Sequence, residues 1–373
     1  MKILGINALN HDAAVAMIQD GEVLFAGHSE RYSGVKNDSD LNKQLIADCL
    51  RYGKPDKVAY FERPYLKKLR QLKAGQYSEV LSRDNLPSNY LKQYIGNKPI
   101  HYVQHHQSHA AAGYYTSPYE ESAIVVIDAI GEFETCTIWY AWGSHFEKRY
   151  SLKYPNSLGL WYSAMTQRLG LKPQEDEYIL MGMAGWGTID EELKQNIRKD
   201  FFNDSDNPID LKDNLHRGCL SWNPEYYKDD DSDEWKFNIA ANVQSICEEE
   251  IVKVFELTKQ LVPETDNCVY MGGVALNCVA NSIIARDHYP NLWILPNPGD
   301  AGSSLGSAAY LFGEHINWTS PFTGYDIKGK YPTTKVLNQL LKGNIVGIAS
   351  GRAEFGPRAL GNRSLIADPR GND

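Results

Sequence analysis

Two segments of this chain open with the same secondary-structure grammar, and that duplication restricts the fold more than any other feature. Near the N-terminus "KILGIN" is apolar and β-branched, "HDAAVAMIQ" continues it, Asp20-Gly21 is a hairpin turn signal and "EVLFAGH" returns. Further on, "SAIVVIDAIGE" reads as a buried strand ending on Asp128, with "ETCTIWYAWG" as its returning strand. The repeat is one of architecture rather than of letters. In both copies the first turn carries polar residues.

Helical patterns follow the first copy through "LNKQLIADCLRYG", with Gly53 as a C-cap, then a short strand "KVAYF" and a basic, Tyr-rich helical stretch around 65–95. After the second copy, "NIAANVQSICEEEIVKVFELTKQLV" is a long amphipathic helix. It leads to strand, glycine turn and helix in "NCVYMGGVALNCVANSII", and "LWILPNPGDAGSSLGSAAYLF" repeats that scheme. The expected fold is therefore α/β and two-lobed, similar to the actin and sugar-kinase (ASKHA) superfamily, whose lobes clasp a nucleotide in the cleft between them. The first lobe is expected over 1–97 and the second over 98–340, with a surface insertion at 188–236. The acidic "YYKDDDSDEW" inside it lacks the Gly and Glu spacing of a calcium loop, which argues against a metal site there.

Composition excludes several classes. The formal charge is −9 with no basic run, which gives no sign of general affinity for nucleic acid or anionic membranes. No apolar stretch approaches the roughly 18 residues of a spanning helix, and the polar "NHD" interrupts any signal-peptide pattern. The six cysteines are scattered without a C-x-x-C pair, so a reducing cytoplasm is the expected location and a zinc ribbon or disulfide framework is not.

The stretch "QHHQSHAAAGYY" holds three of the chain's ten histidines. His105 and His109 are spaced i, i+4, so on a helix both imidazoles project from one face and can share a metal ion, while His106 points elsewhere. Capping or core packing is the competing account. Asp128 at a strand end and Asp300 in a Gly-rich turn are costly there without a partner. Two imidazoles with one or two carboxylates suit iron, manganese or zinc holding a phosphate. The turns "GGVALN" and "GDAGSSLG" each follow a strand and open a helix, where backbone N–H groups favour an anion. Neither is a P-loop.

The set "ILGINALNHDAAVAMIQDGEV", "ERYSGVK", "HHQSHAAAGYYTSPYEESAIVVIDAIGE", "SLGLWYSAMTQRLGLKP", "EYILMGMAGWG", "GGVALNCVAN", "PNPGDAGSSLGSA" and "GRAEFGPRALGNRSLIADPR" resembles the O-carbamoyltransferases of the NodU/CmcH type, running in order from residue 3 to residue 370. The resemblance implies an N-terminal domain similar to the tRNA threonylcarbamoyl-transferases and a C-terminal domain similar to YrdC that makes carbamoyl-adenylate from carbamoyl phosphate and ATP. The N-terminal domain then passes the carbamoyl group to an acceptor hydroxyl at a metal, usually iron(II). Carried onto this chain, His105, His109 and Asp300 are the implied metal ligands and Asp128 a further carboxylate. His11 is the implied general base, and Lys36 the cation near the carbamoyl group. Gly272, Gly273 and Asn277, with Gly299 and Gly302 of the second turn, are expected to line the nucleotide. Arg352 and Arg358 either contact phosphates or form a structural network with Glu354.

Two departures qualify the resemblance. Ile179 stands where relatives commonly carry a lysine. The sequence ends at Asp373, so 341–373 is expected to be a junction to a C-terminal domain that is missing, and carbamoyl-adenylate would have to be supplied. The acceptor is a sugar, nucleoside, nucleotide or other small molecule, with a phage nucleotide or DNA among the options, and a homodimer is open. The alternatives are a tRNA threonylcarbamoyl-transferase-like enzyme and a non-catalytic nucleotide-binding regulator on the same fold.

Overall fold

The computed structural model describes every residue except 74, 225, 227–231 and 371–373. The Asp run at 229–231, weighed above as a metal site, therefore lies outside the described residues.

Strands β1 (Lys2–Asn7), β2 (Ala14–Gln19), β3 (Glu22–His28), β4 (Lys57–Tyr60) and β5 (Ile100–Tyr102) form one sheet in the order β3-β2-β1-β4-β5. Strands β6 (Glu121–Gly131), β7 (Glu134–Trp142), β8 (His145–Lys153), β9 (Asn267–Met271) and β10 (Asn291–Trp293) form the other, in the order β10-β9-β6-β7-β8. Read from its opening strand, each sheet has the same plan. Three consecutive antiparallel strands lie on one side and two parallel strands on the other. This duplicated topology is the two-lobed actin/sugar-kinase-like α/β fold. The lobe boundary expected at residue 97 falls too early, because Ile100–Tyr102 pairs with β4 and closes the first sheet. A three-residue strand at a sheet edge carries too little periodicity to be read in advance.

Both faces of the first sheet are buried, which is why β1 reads as a continuous apolar run. Leu4, Ile6, Val15 and Met17 face one core, with Leu45, Ile46 and Leu91. Ile3, Ala14, Ala16 and Ile18 face the other, which also takes in Ile124, Val126, Val269 and Met271 of the second sheet. Between the sheets lie two helices, the histidine helix His105–Thr116 and the crossing helix Gly302–Phe312. Small residues let this layer close. A Cβ on Gly306 would stand 1.9 Å from the Ser108 carbonyl oxygen, and one on Gly5 would stand 1.8 Å from that of Ser304. The crossing helix thus lies flush against both β1 and the histidine helix.

Residues 191–215 of segment 188–236, expected as a surface insertion, are instead packed into the second lobe. Its helix Glu191–Phe201 is tied to the long helix Asp233–Leu261 by Arg198, which pairs with Glu250 at 2.7 Å and Glu249 at 2.8 Å. Ile197, Phe201, Phe202, Ile209, Leu211 and Leu215 are buried in the second-lobe core. Among the described residues no helix is long and apolar enough to cross a membrane.

Candidate functional site

A cavity of about 970 Å³ opens between the lobes, and the turn that follows β1 forms part of its wall. That turn is shaped by Asn7, whose buried side-chain amide donates to the carbonyls of His11 at 3.3 Å and Asp12 at 2.9 Å. Leu9 and Asp12 take φ values of 68° and 55°, a left-handed backbone that the Asn7 bonds hold in place. His11 is consequently presented to the cleft, with its side chain 42% exposed. Its Nδ1 lies 3.1 Å from Asp12 Oδ2, and its Nε2 lies 3.4 Å from Asp300 Oδ2.

Below it sits a buried cluster. The ligand atoms of His105, His109, Asp128 and Asp300 all lie within 4.8 Å of one another. The two histidines come from the first turns of their helix, Asp128 from β6, and Asp300 from the turn before the crossing helix. Asp300 Oδ1 lies 3.3 Å from His105 Nε2 and 3.2 Å from His109 Nε2; Asp128 Oδ2 lies 3.2 Å from His105 Nε2. His109 Nδ1 is 3.1 Å from the Pro298 carbonyl, which can only accept, so that nitrogen carries a proton and Nε2 is the one turned to the cluster. Burial alone would lower the His105 pKa, but Asp300 and Asp128 outweigh it and hold the ring well above the usual imidazole range. His11 follows the same logic. Burial pulls it down, Asp300 and Asp12 pull harder, and its pKa rises to about 10. Converging imidazole nitrogens and carboxylates that draw in positive charge are the donor set of a divalent cation, so these residues fit the expected metal.

The third histidine has a different task. His106 Nδ1 lies 2.9 Å from Thr137 Oγ1, which also accepts from Trp139 Nε1 at 2.8 Å, so the hydroxyl donates to a neutral ring. Burial and the neighbouring His105 keep His106 well below the ordinary imidazole pKa. It belongs to the core.

The glycine turns divide. Gly272 has φ 94°, and a Cβ there would stand 2.1 Å from the Ile127 carbonyl oxygen, while Gly273 N–H donates to Asp128 Oδ1 at 3.0 Å. Gly273, Asn277 and Gly299 line the cleft. Asn277 also caps the helix behind it, accepting from Ala280 N–H. Gly302 does not line the cleft. Its lack of a side chain is steric, since a Cβ would stand 2.0 Å from the Asn297 carbonyl oxygen.

Arg352 is a correction. Its guanidinium donates to three main-chain carbonyls, of Leu24 at 3.1 Å, Gly324 at 3.1 Å and Thr323, and it lies away from the cleft lining. Arg358 does line the cleft, 5.6 Å from the Tyr178 ring. Glu354, expected beside these two, instead pairs with Arg363 at 3.1 Å and accepts from the N–H groups of Leu360, Asn362 and Arg363. Lys36 reaches the rim, where it donates to the Glu175 carbonyl and lies 4.9 Å from the Tyr178 ring. The same rim carries Asn37, which donates to the Gln174 carbonyl at 2.8 Å.

Several residues of the site escaped the sequence reading, among them Asp12, Lys67 and Arg70 on the cleft wall and Glu62 behind it. Glu62 is buried, bound to Lys67 at 2.7 Å and 4.0 Å from His105 Nδ1. Its signal was a charged residue directly after the apolar strand "KVAYF", the same pattern that singled out Asp128.

Comparison with known proteins adds the chemistry. A family model for the carbamoyltransferase N-terminus matches residues 58–309, and one for the carbamoyltransferase C-terminus matches 337–373. Protein sll1178 of Synechocystis is 29% identical, over 99% of this chain and 71% of that protein. Nodulation protein NolNO of Sinorhizobium fredii is 27% identical, over 98% of this chain but 59% of its own length. A 3'-hydroxymethylcephem-O-carbamoyltransferase of Amycolatopsis lactamdurans is 26% identical, over 97% of this chain and 72% of that enzyme.

Proposed function

This chain belongs to the carbamoyltransferase family, and on that premise we propose that it is an ATP-dependent O-carbamoyltransferase whose donor is carbamoyl-adenylate. The observation that carries this reading is the convergence of His105, His109, Asp128 and Asp300 at the floor of the interlobe cleft, directly under His11.

The acceptor hydroxyl oxygen attacks the carbamoyl carbon. The bond from that carbon to the adenylate phosphate oxygen breaks, and AMP leaves. Asp12 fixes the His11 Nδ1–H, which leaves Nε2 to take the hydroxyl proton. A divalent ion, iron(II) by the family resemblance, held by the four cluster residues would act as a Lewis acid toward phosphate and take up carboxylate charge. With its charge so taken up, Asp300 would favour the His11 imidazolium less, and Nε2 would be freer to accept the proton. Gly273, Asn277 and Gly299 border the nucleotide, with Arg358 toward its phosphate. Lys36 meets the developing oxyanion once it leaves the Glu175 carbonyl.

The test supplies the chain with carbamoyl-adenylate and a panel of sugars and hydroxymethyl-pyrimidine nucleotides, with mass spectrometry of the acceptors. Gain of one carbamoyl group is expected. Binding of the adenylate with no acceptor modified, or modified adenosine in tRNA when threonylcarbamoyl-adenylate is supplied, overturns the reading.

A further inference from the structure

The cleft holds a second set of polar groups that the carbamoyl chemistry does not use. Arg70, on the helix Pro64–Lys73, lines the cavity and is only 7% exposed. Among the described residues its guanidinium makes no hydrogen bond and no ion pair, and its Nε is buried without a partner. His216, from the turn Leu215–Arg217 of the second lobe, lines the same cavity, and its Nδ1 is likewise buried and unpartnered. Lys67, one helical turn before Arg70, is also on the cavity wall.

A buried arginine without an acceptor is costly to a fold. Arg352 shows how this chain treats an arginine that serves packing, since three carbonyls surround it. Arg70 has none. Its planar fork matches the oxygens of a phosphate or carboxylate. Burial also pulls its pKa down, more than nearby Glu62 and Tyr154 pull it up, and a bound anion would offset the rest.

Arg70 and the nucleotide turns reach the cavity from different lobes. A continuous string of contacts runs from Gly273 N–H to Asp128 at 3.0 Å, from Asp128 to His105 at 3.2 Å, and from His105 to Glu62 at 4.0 Å. Glu62 then reaches Lys67 at 2.7 Å, with Arg70 one turn beyond. The glycine turn and Arg70 thus belong to different lobes, and the cluster residues are links in the string that joins them.

We infer that Arg70, with His216 and Lys67 beside it, forms a subsite for an anionic group of the acceptor, a phosphate or a carboxylate. The word acceptor rests on the carbamoyltransferase reading; the anion does not. The substrate class that follows is a phosphorylated or acidic hydroxyl compound rather than a neutral alcohol.

The test uses the full chain stripped of divalent ions, with inorganic phosphate and acetate as probes in calorimetric titration. Arg70→Gln is expected to weaken binding of the preferred anion by about tenfold or more, Arg70→Lys by less, and His105→Ala/His109→Ala to leave it in place. Whichever probe binds through Arg70 names the group. Binding of neither, or binding that Arg70→Gln leaves unchanged, overturns the subsite. Repeating the titration with saturating AMP separates the two sides of the cleft. Retained binding supports the acceptor side, and exclusion by AMP assigns the anion to the nucleotide and overturns the acceptor claim. Thermal unfolding guards against a structural role. In anion-free buffer Arg70→Gln should melt at or above the wild-type temperature, and a clear drop would show that the arginine serves the fold. Failure of carbamoyl transfer itself would leave all these binding results standing and would count against the enzyme reading alone.

Discussion

The Nε2 atoms of His105 and His109 lie 3.2 Å apart, and each is within 3.3 Å of the same Asp300 oxygen. Three acceptor atoms at that spacing need positive charge among them, supplied by protons or by a cation. The wild type should therefore purify with a stoichiometric divalent ion and the His105→Ala/His109→Ala variant without one, measured by elemental analysis. Retention of a stoichiometric metal would show that the ion is bound elsewhere.

Gly131 offers a subtler probe of the same centre. A Cβ there would stand 2.1 Å from His105 Cδ2, so Gly131→Ala must push the imidazole aside. Metal affinity should fall by about 10–100-fold, the size seen when the supports of a ligand are disturbed, with the circular dichroism spectrum unchanged. Unaltered affinity would mean that His105 tolerates displacement and is a weak ligand.

His11→Ala should slow carbamoyl transfer by roughly 10²–10⁴-fold, the usual contribution of a general base, with nucleotide affinity held within a few-fold. If transfer continues at the wild-type rate, the base lies elsewhere in the cleft.

Acid sensitivity should trace in part to His28. The ring is buried against Phe355, its Nε2 is 3.1 Å from Asn297 Nδ2, and burial with the nearby Arg31 charge takes its pKa down to about 3. Folded protein keeps this histidine neutral while the unfolded chain protonates it near pH 6.5. Stability is unaffected above that pH and falls as pH drops toward about 3, by at most about 1.4 kcal/mol per pH unit. His28→Gln should flatten that part of a denaturant-midpoint profile. A profile as steep as that of the wild type would place the acid lability in other groups.

Much of this arrangement was legible because the elements involved are long or patterned. The paired openings at β1 and β6 announced two lobes, and the i, i+4 spacing of His105 and His109 announced a shared face. What stayed hidden depends on contacts between distant segments. Nothing around Arg352 says that Leu24, Thr323 and Gly324 will surround it, and Arg358, six residues later, reads no differently yet faces the cleft. Gly302 and Gly273 sit in similar turns, and only the packing shows that one avoids the Asn297 carbonyl while the other frees an amide for Asp128. The apolar residues of 188–236 are spaced without a period, because several short segments reach one core from different directions.

The two helices packed between the sheets carry a mechanical consequence. His105 and His109 begin one, and Asp300 directly precedes the other. Ser108 and Gly306, or Gly5 and Ser304, cannot slide past one another without collision. Three of the four cluster residues are therefore mounted on one closely packed layer. Rim contacts such as Asn37 with Gln174 lie outside this layer and join the two lobes at the mouth of the cleft. Any opening of the cleft that admits a substrate would break such rim contacts first and leave the spacing of those three residues unchanged.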